Sequence, residues 1–436
     1  MSGARAAVLA ALAAEPRRAR PSLDLARQAG LSSGTLYPIL VRLQRAGLVE
    51  AQWTDGRRAY RLTGPVPPPG AAGRRGRTVR FWLPAALAAL VTAWAVLVRP
   101  AGVRLSDLGV YLGAVRGLTH GASLYDFLSA GNAPFTYPPF AGLLFLPLAG
   151  APVLPLQLLW TLATVGTVAG LALLLDRRAA PAFALVLMLS APVSSDLKYG
   201  QVSLFLAAMV AADLLALRHS RWQGLLVGVA AAIKLTPLIF IPLLWCAGRR
   251  RAAVLATVTF AGCGALAGLA LPGDSWRFWT TEVAHVSRLG YITSVGNQSL
   301  NGFLLRAELA APLRSAIVLV AGGGIAALAL RRAARRARGG DWFSALVLTG
   351  AAGVVLSPVS WTHHQIWLVL AALLPVRGPA WARRGWPVLV LAVMLLPVPA
   401  LGPPLWSNSR LLLAVTIAAL LPLAPLGRRG PTALSS

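Results

Sequence analysis

The stretch LPLQLLWTLATVGTVAGLALLL, residues 154–175, runs for 22 residues without a charged side chain. A helix rises about 1.5 Å per residue, so a run of this length can cross the roughly 30 Å hydrocarbon core of a bilayer. Similar apolar runs recur from about Phe81 onward. In the whole chain 57% of residues are hydrophobic and 12% are charged, whereas soluble domains carry about 25% charged residues. The sequence therefore predicts that most of the chain is a bundle of transmembrane helices.

Arginine clusters predict which ends of these helices face the cytoplasm. The arginines behind the net charge of +28 cluster between apolar runs, at 74–80, 249–251, 331–338, 383–384 and 428–429. Such clusters are typical of cytoplasmic loops. We therefore expect a multi-pass plasma-membrane protein with a cytoplasmic N-terminus. The regions 100–134, 272–300 and 357–364 are then expected on the extracytoplasmic side.

The predicted spans can be read from the apolar runs. They are 81–99, 136–152, 154–175, 180–195, 202–217, 223–247, 252–271, 313–330, 342–357, 365–376, 386–400 and 410–427. We expect the run 223–247 to be interrupted between Lys234 and Pro237. Two full spans at 136–152 and 154–175 would place the cluster DRR that follows Leu175 outside, so one of them is predicted to be re-entrant or interfacial. The count stays open at about ten to twelve spans.

The first 63 residues follow a different, more polar pattern. AAVLAALAA and PSLDLARQAG predict two short helices, the second with Ser22 as N-cap and Gly30 as its end. LSSGTLYPILVRLQRAGL predicts a longer helix with one apolar face. VEAQWTDGRRAYRLT predicts a β-hairpin with its turn at Asp55 and Gly56. Three helices and a hairpin form a winged helix-turn-helix domain.

The pattern GTLYPIL…L…GL…Y.LT resembles the PadR-like family of winged-helix transcriptional regulators over about residues 5–63. The resemblance implies that helix 33–45 enters the major groove and that the hairpin contacts phosphate. The implied DNA contacts are Ser33, Thr35, Tyr37, Arg42, Arg57 and Arg58. Ten arginines against four acids in residues 1–63 suit a phosphate surface. The family's dimerising helices are replaced by GPVPPPGAAGRRGRTVR, so a protein-binding domain or a fusion remnant stays an alternative.

This reading divides the chain into four parts. A winged-helix domain covers 1–63, and a flexible basic linker rich in Pro, Gly and Arg covers 64–80. The transmembrane domain covers 81–427, and a cytoplasmic tail covers 428–436. The transmembrane domain is expected to carry the chemistry.

Six polar stretches interrupt the apolar runs, each at the end of a predicted span. They are RLSDLGVYLGAVRGLTHGASLYD, APFTYPPFAG, SDLKYGQVSL, IKLTP, SRLGYITSVGNQSLNGFLLR and SPVSWTHH. If the arginine clusters are inside, all six can face one compartment. Polar groups are costly in hydrocarbon unless they line an aqueous or binding site. Together the stretches predict a reaction site on one membrane face.

These stretches resemble glycosyltransferase family 87 over about residues 81–400, in order and with sensible spacing. The resemblance implies an all-α, polytopic membrane protein of the GT-C type, here with a small N-terminal α+β domain. It implies a mannosyltransferase that uses a polyprenyl-phosphate-mannose donor and a cell-envelope glycan or glycolipid acceptor. The chain departs from the usual motifs in HHQIW, where the family has HHWVW, and at Ser203, where it has Asn. These departures bear on substrate choice.

In this resemblance one carboxylate acts as general base, because the leaving group is already a stable phosphate. Asp107 is the first choice, since it lies in the loop after the first span that bears the catalytic acid in related families. An N-cap role for Asp107 is the alternative, because SDLGVYL also reads as a helix start. Asp126 is the second choice, and Asp196 and Asp274 come after it.

The donor also needs positive and hydrogen-bonding partners. The predicted donor contacts are Lys234, His363, His364, Arg288, Arg306, Gln201, Asn297, Gln298 and Tyr137. A lysine within the run 223–247 is costly unless it reaches water or phosphate, although snorkelling to a helix end is an alternative. For the two histidines, interfacial packing stays open. Metal binding is disfavoured because adjacent side chains on a helix point about 100° apart. We expect neither a metal nor another cofactor.

Two other function classes remain open at this stage. A transporter of lipid-linked glycans would commonly show internal repeats and mid-membrane polar residues, and the chain shows no clear repeat. A membrane-tethered transcriptional regulator would use the winged-helix domain. An integral-membrane hexosyltransferase is the leading prediction.

Overall fold

The computed structural model describes residues 3–15, 18–45, 48–54, 57–63, 71–285, 288 and 290–425. Its contacts divide the chain into two compact units, residues 1–83 and 84–436. Each unit has its own architecture, and the two are treated separately below.

The first unit holds three helices and a three-stranded antiparallel sheet. The elements are α1 (Gly3–Ala13), β1 (Arg20–Pro21), α2 (Ser22–Ala29), α3 (Ser33–Arg45), β2 (Val49–Thr54) and β3 (Arg57–Leu62). The sheet order is β1-β3-β2. Val49 pairs with Leu62 and Thr54 pairs with Arg57, as the predicted hairpin requires. The predicted turn at Asp55 and Gly56 lies outside the described residues.

A single apolar core holds this unit together. Its fully buried members include Val8, Leu25, Leu36, Leu40, Leu43 and Tyr60. The i, i+4, i+7 spacing of Leu36, Leu40 and Leu43 places them on one face of α3, as the sequence predicts. Gly30 ends α2 with a positive φ of 65°, which glycine adopts at low cost.

One local prediction in this unit was wrong, and one short strand was not predicted. Ser22 is the first residue of α2 rather than its N-cap, because the capping position is taken by Pro21 in extended conformation. The short strand β1 was missed. Arg20 and Pro21 pair with Tyr60 and Ala59, and two residues are too few to give a strand pattern.

The remaining helices belong to the second unit, except that the first of them, α4, begins before residue 84. They are α4 (Ala71–Leu97), α5 (Ser106–Thr119), α6 (Pro139–Phe145), α7 (Val153–Leu175), α8 (Ala180–Leu189), α9 (Ala191–Tyr199), α10 (Ser203–Ala211), α11 (Leu225–Ile233), α12 (Phe240–Cys246), α13 (Arg250–Ala270), α14 (Pro272–Thr280), α15 (Leu300–Arg306), α16 (Ala311–Ile317), α17 (Gly323–Arg338), α18 (Trp342–Leu356), α19 (Ile366–Leu370), α20 (Ala380–Leu395), α21 (Pro404–Ser407) and α22 (Ser409–Val415).

Short 3-10 or π turns extend or join several of these helices. They cover Leu124–Asp126, Leu146–Leu148, Ala212–Ala216, Thr236–Ile239, Glu282–Ala284, Val318–Gly322, Thr362–His364, Ala371–Leu373, Val398–Leu401 and Thr416–Leu420. Because α4 begins at Ala71, residues 71–80 of the predicted flexible linker are helical. Alanine and arginine favour helix strongly enough to extend the apolar segment backwards.

Among the described residues, three helices are long and apolar enough to cross a bilayer: Val153–Leu175, Arg250–Ala270 and Ala311–Arg338. The pair α8 and α9, bent by 65°, makes a fourth if it is counted as one span. Other apolar segments are shorter, so the predicted count of about ten to twelve spans stays a prediction. The helical membrane protein with a small N-terminal α+β domain is confirmed.

Two predicted interruptions occur where the sequence places them. The apolar segment Pro139–Leu148 is only ten residues long, about 15 Å, which is half the hydrocarbon thickness. This fits the expectation that one of the two runs 136–152 and 154–175 is re-entrant or interfacial. The run 223–247 breaks at Lys234, where α11 ends and a 3-10 turn from Thr236 begins. Pro237 cannot donate the hydrogen bond that would continue the helix.

Candidate active site

A cavity of about 550 Å³ lies within the second unit and collects residues from all six polar stretches. Its polar lining includes Asp107, Tyr111, Tyr137, Ser195, Tyr199, Gln201, Lys234, Glu282, His285, Arg288, Ser294, Trp361, His363 and His364. These residues are separated by up to about 260 positions in the chain. The structure therefore brings the six polar stretches together at one cavity, as the sequence predicts.

Asp107 lies in the first turn of α5, with its side chain in the cavity wall. Its Oδ2 accepts a hydrogen bond from Gln201 Nε2, and its Oδ1 accepts one of 3.2 Å from Ser106 Oγ. Leu105 holds the N-cap position, so Asp107 is not the N-cap that the alternative proposed. Burial raises the pKa of the Asp107 carboxyl, while the bonds from Gln201 and Ser106 and the charge of Lys234 act in the opposite direction.

The turn that carries Gln201 packs directly against the start of α5. Gly200 ends α9 with φ 69°, and a Cβ there would lie 2.9 Å from the Cβ atoms of Leu105 and Leu108. Leu105 itself has φ 46°, a conformation that costs a non-glycine residue about 1–3 kcal/mol. This tight junction fixes Asp107 and Gln201 relative to each other.

Gln201 is at the centre of a buried hydrogen-bond network. Its Oε1 accepts bonds of 2.8 Å from Tyr137 OH and 3.1 Å from Tyr111 OH. The two hydroxyls are also 2.8 Å apart. Lys234 Nζ donates to Tyr137 OH and to Ser203 Oγ, both at 3.2 Å. The network joins a carboxylate to a cation through neutral groups.

Lys234 has no carboxylate within ion-pair distance among the described residues. It caps the end of α11 and its ammonium lies 5.0 Å from the centre of the Tyr137 ring. It also lines a smaller cavity of about 40 Å³, together with His363 and His364. A cation held only by hydroxyls and a ring has charge left for an anionic ligand.

The two histidines lie on a 3-10 turn at the end of an extended segment, not on a helix. Their rings are 4.5 Å apart and nearly perpendicular. The Trp361 N–H donates to His364 Nδ1 at 3.2 Å, and His363 Nδ1 is 3.4 Å from Ser195 Oγ. Both Nε2 atoms are buried without a hydrogen-bond partner. Burial lowers the pKa of both imidazoles, so they are neutral near pH 7.

His364 Nδ1 accepts a backbone N–H, so its neutral ring carries the proton on Nε2. That buried Nε2–H belongs to a residue that lines the cavity. In the described part of the chain no group of three or more His, Cys, Asp or Glu side chains could hold a metal ion. The histidine pair therefore offers hydrogen bonds.

Several predicted site residues are scaffold for this cavity and do not line it. Asn297 Oδ1 accepts the Ser360 N–H at 2.9 Å, and Gln298 Nε2 donates to the Ser407 carbonyl at 2.7 Å. Arg306 donates to the Asn297 carbonyl at 3.0 Å and to Asn408 Oδ1 at 2.6 Å. Their polar groups are used to hold the two loops that form the cavity wall.

The alternative carboxylates are also placed outside the cavity lining. Asp126 is 59% exposed and lies 2.5 Å from Arg277 Nη1. Asp196 accepts the Leu204 N–H at 3.0 Å and so caps α10. Asp274 accepts the Leu124 N–H at 3.2 Å. Of the predicted acids, only Asp107 lines the cavity.

Arg288 lines the cavity but its charge is compensated. It pairs with Glu282, whose other oxygen accepts a bond of 2.8 Å from Arg277 Nε. Arg288 also donates to the Tyr125 carbonyl at 2.8 Å. The sequence analysis did not single out Glu282 and His285, which lie outside the six stretches, or Ser195, which begins the stretch SDLKYGQVSL but was not chosen as a site residue.

Comparisons with known proteins match this chain to two families. The family model "Glycosyltransferase family 87" matches residues 135–358, and "Transcriptional regulator PadR-like family" matches residues 24–65. No solved structure gives a significant match.

Relatives with assigned names match about three quarters of the chain. A Mycolicibacterium smegmatis protein named polyprenol-phosphate-mannose-dependent alpha-(1-2)-phosphatidylinositol pentamannoside mannosyltransferase is 36% identical over 344 residues, which is 73% of this chain and 82% of that protein. A Mycobacterium tuberculosis protein of the same name is 33% identical over 73% of this chain and 78% of its own length. A second M. tuberculosis protein, named for phosphatidylinositol mannoside, is 32% identical over 74% of this chain and 82% of its own length.

Proposed function

Because the chain belongs to glycosyltransferase family 87, we propose that it transfers mannose from a polyprenyl-phosphate-mannose donor to a glycolipid acceptor. The protein is a membrane hexosyltransferase. The names of its relatives supply the donor and suggest a phosphatidylinositol-mannoside-like acceptor. The observation that carries the proposal is one cavity that holds a carboxylate, an ammonium without a carboxylate partner and two imidazole nitrogens without partners.

The proposed reaction is a direct displacement at the sugar C1. An acceptor hydroxyl gives its proton to Asp107, and its oxygen forms the new bond to C1 as the C1–O bond to phosphate breaks. The bonding electron pair leaves with the polyprenyl phosphate. Displacement from the opposite face inverts a β-linked donor to an α product, which agrees with the alpha-(1-2) linkage in the relatives' names.

Each group has a role that its surroundings support. The raised pKa of the Asp107 carboxyl makes it a stronger base than an exposed aspartate. Lys234 and the Nε2–H of His364 would stabilise the charge that grows on the leaving phosphate. No acid is needed to protonate this leaving group. The proposal uses neither a metal nor a cofactor.

The test of the base compares two aspartates in membranes or nanodiscs with labelled polyprenyl-phosphate-mannose and a phosphatidylinositol mannoside. We expect Asp107→Asn to lower kcat by about 100-fold or more, since a positioned base contributes roughly 10²–10⁴. The matched control is Asp126→Asn, which changes an exposed carboxylate outside the cavity. Full activity in Asp107→Asn, or loss only in Asp126→Asn, would remove Asp107 as base.

We also propose that the cavity opens to the extracytoplasmic face, with the N-terminal domain in the cytoplasm. The arginine clusters support this orientation through the positive-inside rule. Single cysteines at positions 107, 234 and 363 in a chain without Cys246 and Cys263 test it. Labelling by an impermeant reagent from outside intact cells is expected at all three, and labelling from opposite sides would refute the shared site.

For the N-terminal domain we propose DNA binding as a separate property. Ser33, Thr35, Tyr37 and Arg42 are exposed on α3, and Arg58 Nη1 donates to Tyr37 OH at 3.3 Å. Arg57 is the first residue of β3. A gel shift of the full-length protein in detergent against genomic fragments, at several salt concentrations, tests it. Salt-sensitive binding that is lost in Arg42→Gln supports the proposal, and its absence at low salt refutes it.

A further inference from the structure

Protein groups already occupy three of the four hydrogen-bonding positions of the Gln201 amide, namely both lone pairs of its oxygen and one of its two N–H groups. Its Nε2 donates to Asp107 and its Oε1 accepts from two tyrosine hydroxyls. A carboxamide oxygen has two lone pairs, and both are used. Although Gln201 borders the cavity, it has little capacity left for a sugar hydroxyl, which is the role that the sequence suggested.

Lys234 is connected to Asp107 by hydrogen bonds through Tyr137 and Gln201, and these bonds can run in only one direction. An ammonium can only donate and an ionised carboxylate can only accept. Tyr137 OH therefore accepts from Lys234 Nζ at 3.2 Å and passes its own proton towards Gln201 Oε1 at 2.8 Å. The Gln201 Nε2–H then points at Asp107. We call this directed chain of four residues the Lys234–Asp107 relay.

We propose that Gln201 is a positioning residue that orients Asp107 for proton abstraction and, through Tyr137, couples it to the occupancy of Lys234 by the donor phosphate. This inference rests on the proposed function and adds a regulatory element to the same site. It links the two halves of the reaction, since the base and the phosphate contact are otherwise on different helices.

The coupling has a definite sign. In the free protein the positive charge of Lys234 lowers the pKa of Asp107. A phosphate bound at Lys234 compensates that charge and weakens the polarisation of the relay. The pKa of Asp107 then rises, so the carboxylate becomes a stronger base when the donor is present. Neutral hydroxyls and an amide transmit this change without moving a charge.

The first experiment replaces Gln201 by methionine, which keeps its length and removes its polar groups. Loss of the hydrogen bond that stabilises the ionised Asp107 raises the pKa of that carboxyl. The acidic limb of the pH profile of kcat, where activity falls as Asp107 is protonated, should therefore move up by roughly one pH unit. At pH 7 we expect kcat to fall roughly 10- to 100-fold, with the donor KM within about twofold of wild type. Gln157→Met is the matched control.

Gln157, on α7, is also a buried glutamine, but it forms hydrogen bonds with Arg104 and does not line the cavity. Its replacement should leave the acidic limb where it is. If Gln201→Met instead raises the donor KM and leaves the limb unchanged, Gln201 binds the sugar and the inference is wrong. The proposed function survives that result as long as transfer still depends on Asp107.

The second experiment uses Tyr137→Phe, which breaks the relay in the middle and leaves the Gln201–Asp107 bond in place. In the wild-type enzyme, the acidic limb of the pH profile of kcat reports the pKa of Asp107 in the donor complex. The acidic limb of the pH profile of kcat/KM for the donor reports the same pKa in the free enzyme. We expect the acidic limb of kcat to lie at higher pH than that of kcat/KM, and we expect the difference between the two to be smaller in Tyr137→Phe. Equal limbs in wild type, or an unchanged gap in the variant, would refute the coupling. This test stands even if Gln201→Met does not fold.

Discussion

Two groups of cations near the cavity differ in how their charge is compensated. Lys234, on the cavity wall, contacts only hydroxyls and a ring. Arg277 and Arg288 form an outer cluster with Asp126 and Glu282, in which every charge has an opposite charge. A cation in an ion pair holds protein segments together, whereas one that has no ion pair among the described residues is available to a ligand. The sequence alone shows only that cations are present in both places.

This difference predicts opposite effects of mutation in the two places. Removal of an unpaired, partly desolvated charge should harm function and spare stability. Removal of Glu282, the buried member of the outer cluster, should harm stability first, because it leaves its two arginine partners less compensated. The predictions below test this contrast, beginning with the largest effect.

The first prediction concerns Lys234→Met. We expect kcat/KM for the donor to fall about 100- to 1,000-fold, because one preorganised donor to a developing anion is typically worth that much. The midpoint of thermal unfolding in nanodiscs should stay equal or rise, since a charge without a carboxylate partner is removed. Activity with labelled donor and unfolding by intrinsic fluorescence measure the two effects. A large loss of stability with near-normal kinetics would make Lys234 part of the scaffold.

The second prediction concerns the pH dependence of kcat/KM. Asp107 acts as base only when ionised, so activity is lost as pH falls through its pKa. Burial raises that pKa, so the acidic limb should lie above the value of about 3.9 for an exposed aspartate. Below the limb the rate should fall about tenfold per pH unit. The low pKa of His363 and His364 predicts no further limb near pH 6.5.

In Lys234→Met the same limb should move to higher pH, because the cation that lowers the pKa of Asp107 is gone. An acidic limb near the pKa of an exposed aspartate would contradict the burial of Asp107. A limb that does not move in Lys234→Met would contradict the link between Asp107 and Lys234.

The sequence predicted where the site lies better than which amides form it. The six polar stretches were found from polarity at helix ends, and the structure brings all six to one cavity. The sequence analysis treated three amides alike, because each lies in a polar stretch at the end of a predicted span. They are Gln201, Asn297 and Gln298. Only packing separates them, since Asn297 and Gln298 are buried among backbone groups.

Asp107 was the first choice of base because of its place after the first span in the family resemblance. Of the four candidate aspartates it alone lines the cavity, and its role as base stays a proposal. Asp107 begins a helix after the first apolar run, and that register turns it into the cavity. Asp126 follows a loop whose course depends on Arg277, about 150 residues later. Such a long-range ion pair leaves no local pattern. Glu282 was not recognised for the same reason, although it is the centre of the outer cluster.

The last prediction concerns Glu282→Gln, in the outer cluster. The Glu282 side chain is 7% exposed and accepts from Arg277 and Arg288, so its neutralisation leaves two arginines with less compensation. The amide oxygen can keep one of the two bonds. We therefore expect unfolding to cost about 1–3 kcal/mol less free energy, while kcat and the donor KM change less than about fivefold.

Glu282→Gln also shows which arginine of the outer cluster has only a structural role and which one can contact a ligand. Arg288 lines the cavity, so its release from Glu282 could expose a new anion contact and lower the KM for an anionic glycolipid acceptor. Arg277 lies outside the cavity lining and serves as the reference, with Arg277→Gln destabilising the protein without any effect on acceptor KM. If Glu282→Gln abolishes transfer while stability is unchanged, the outer cluster takes part in the reaction and the contrast with Lys234 fails.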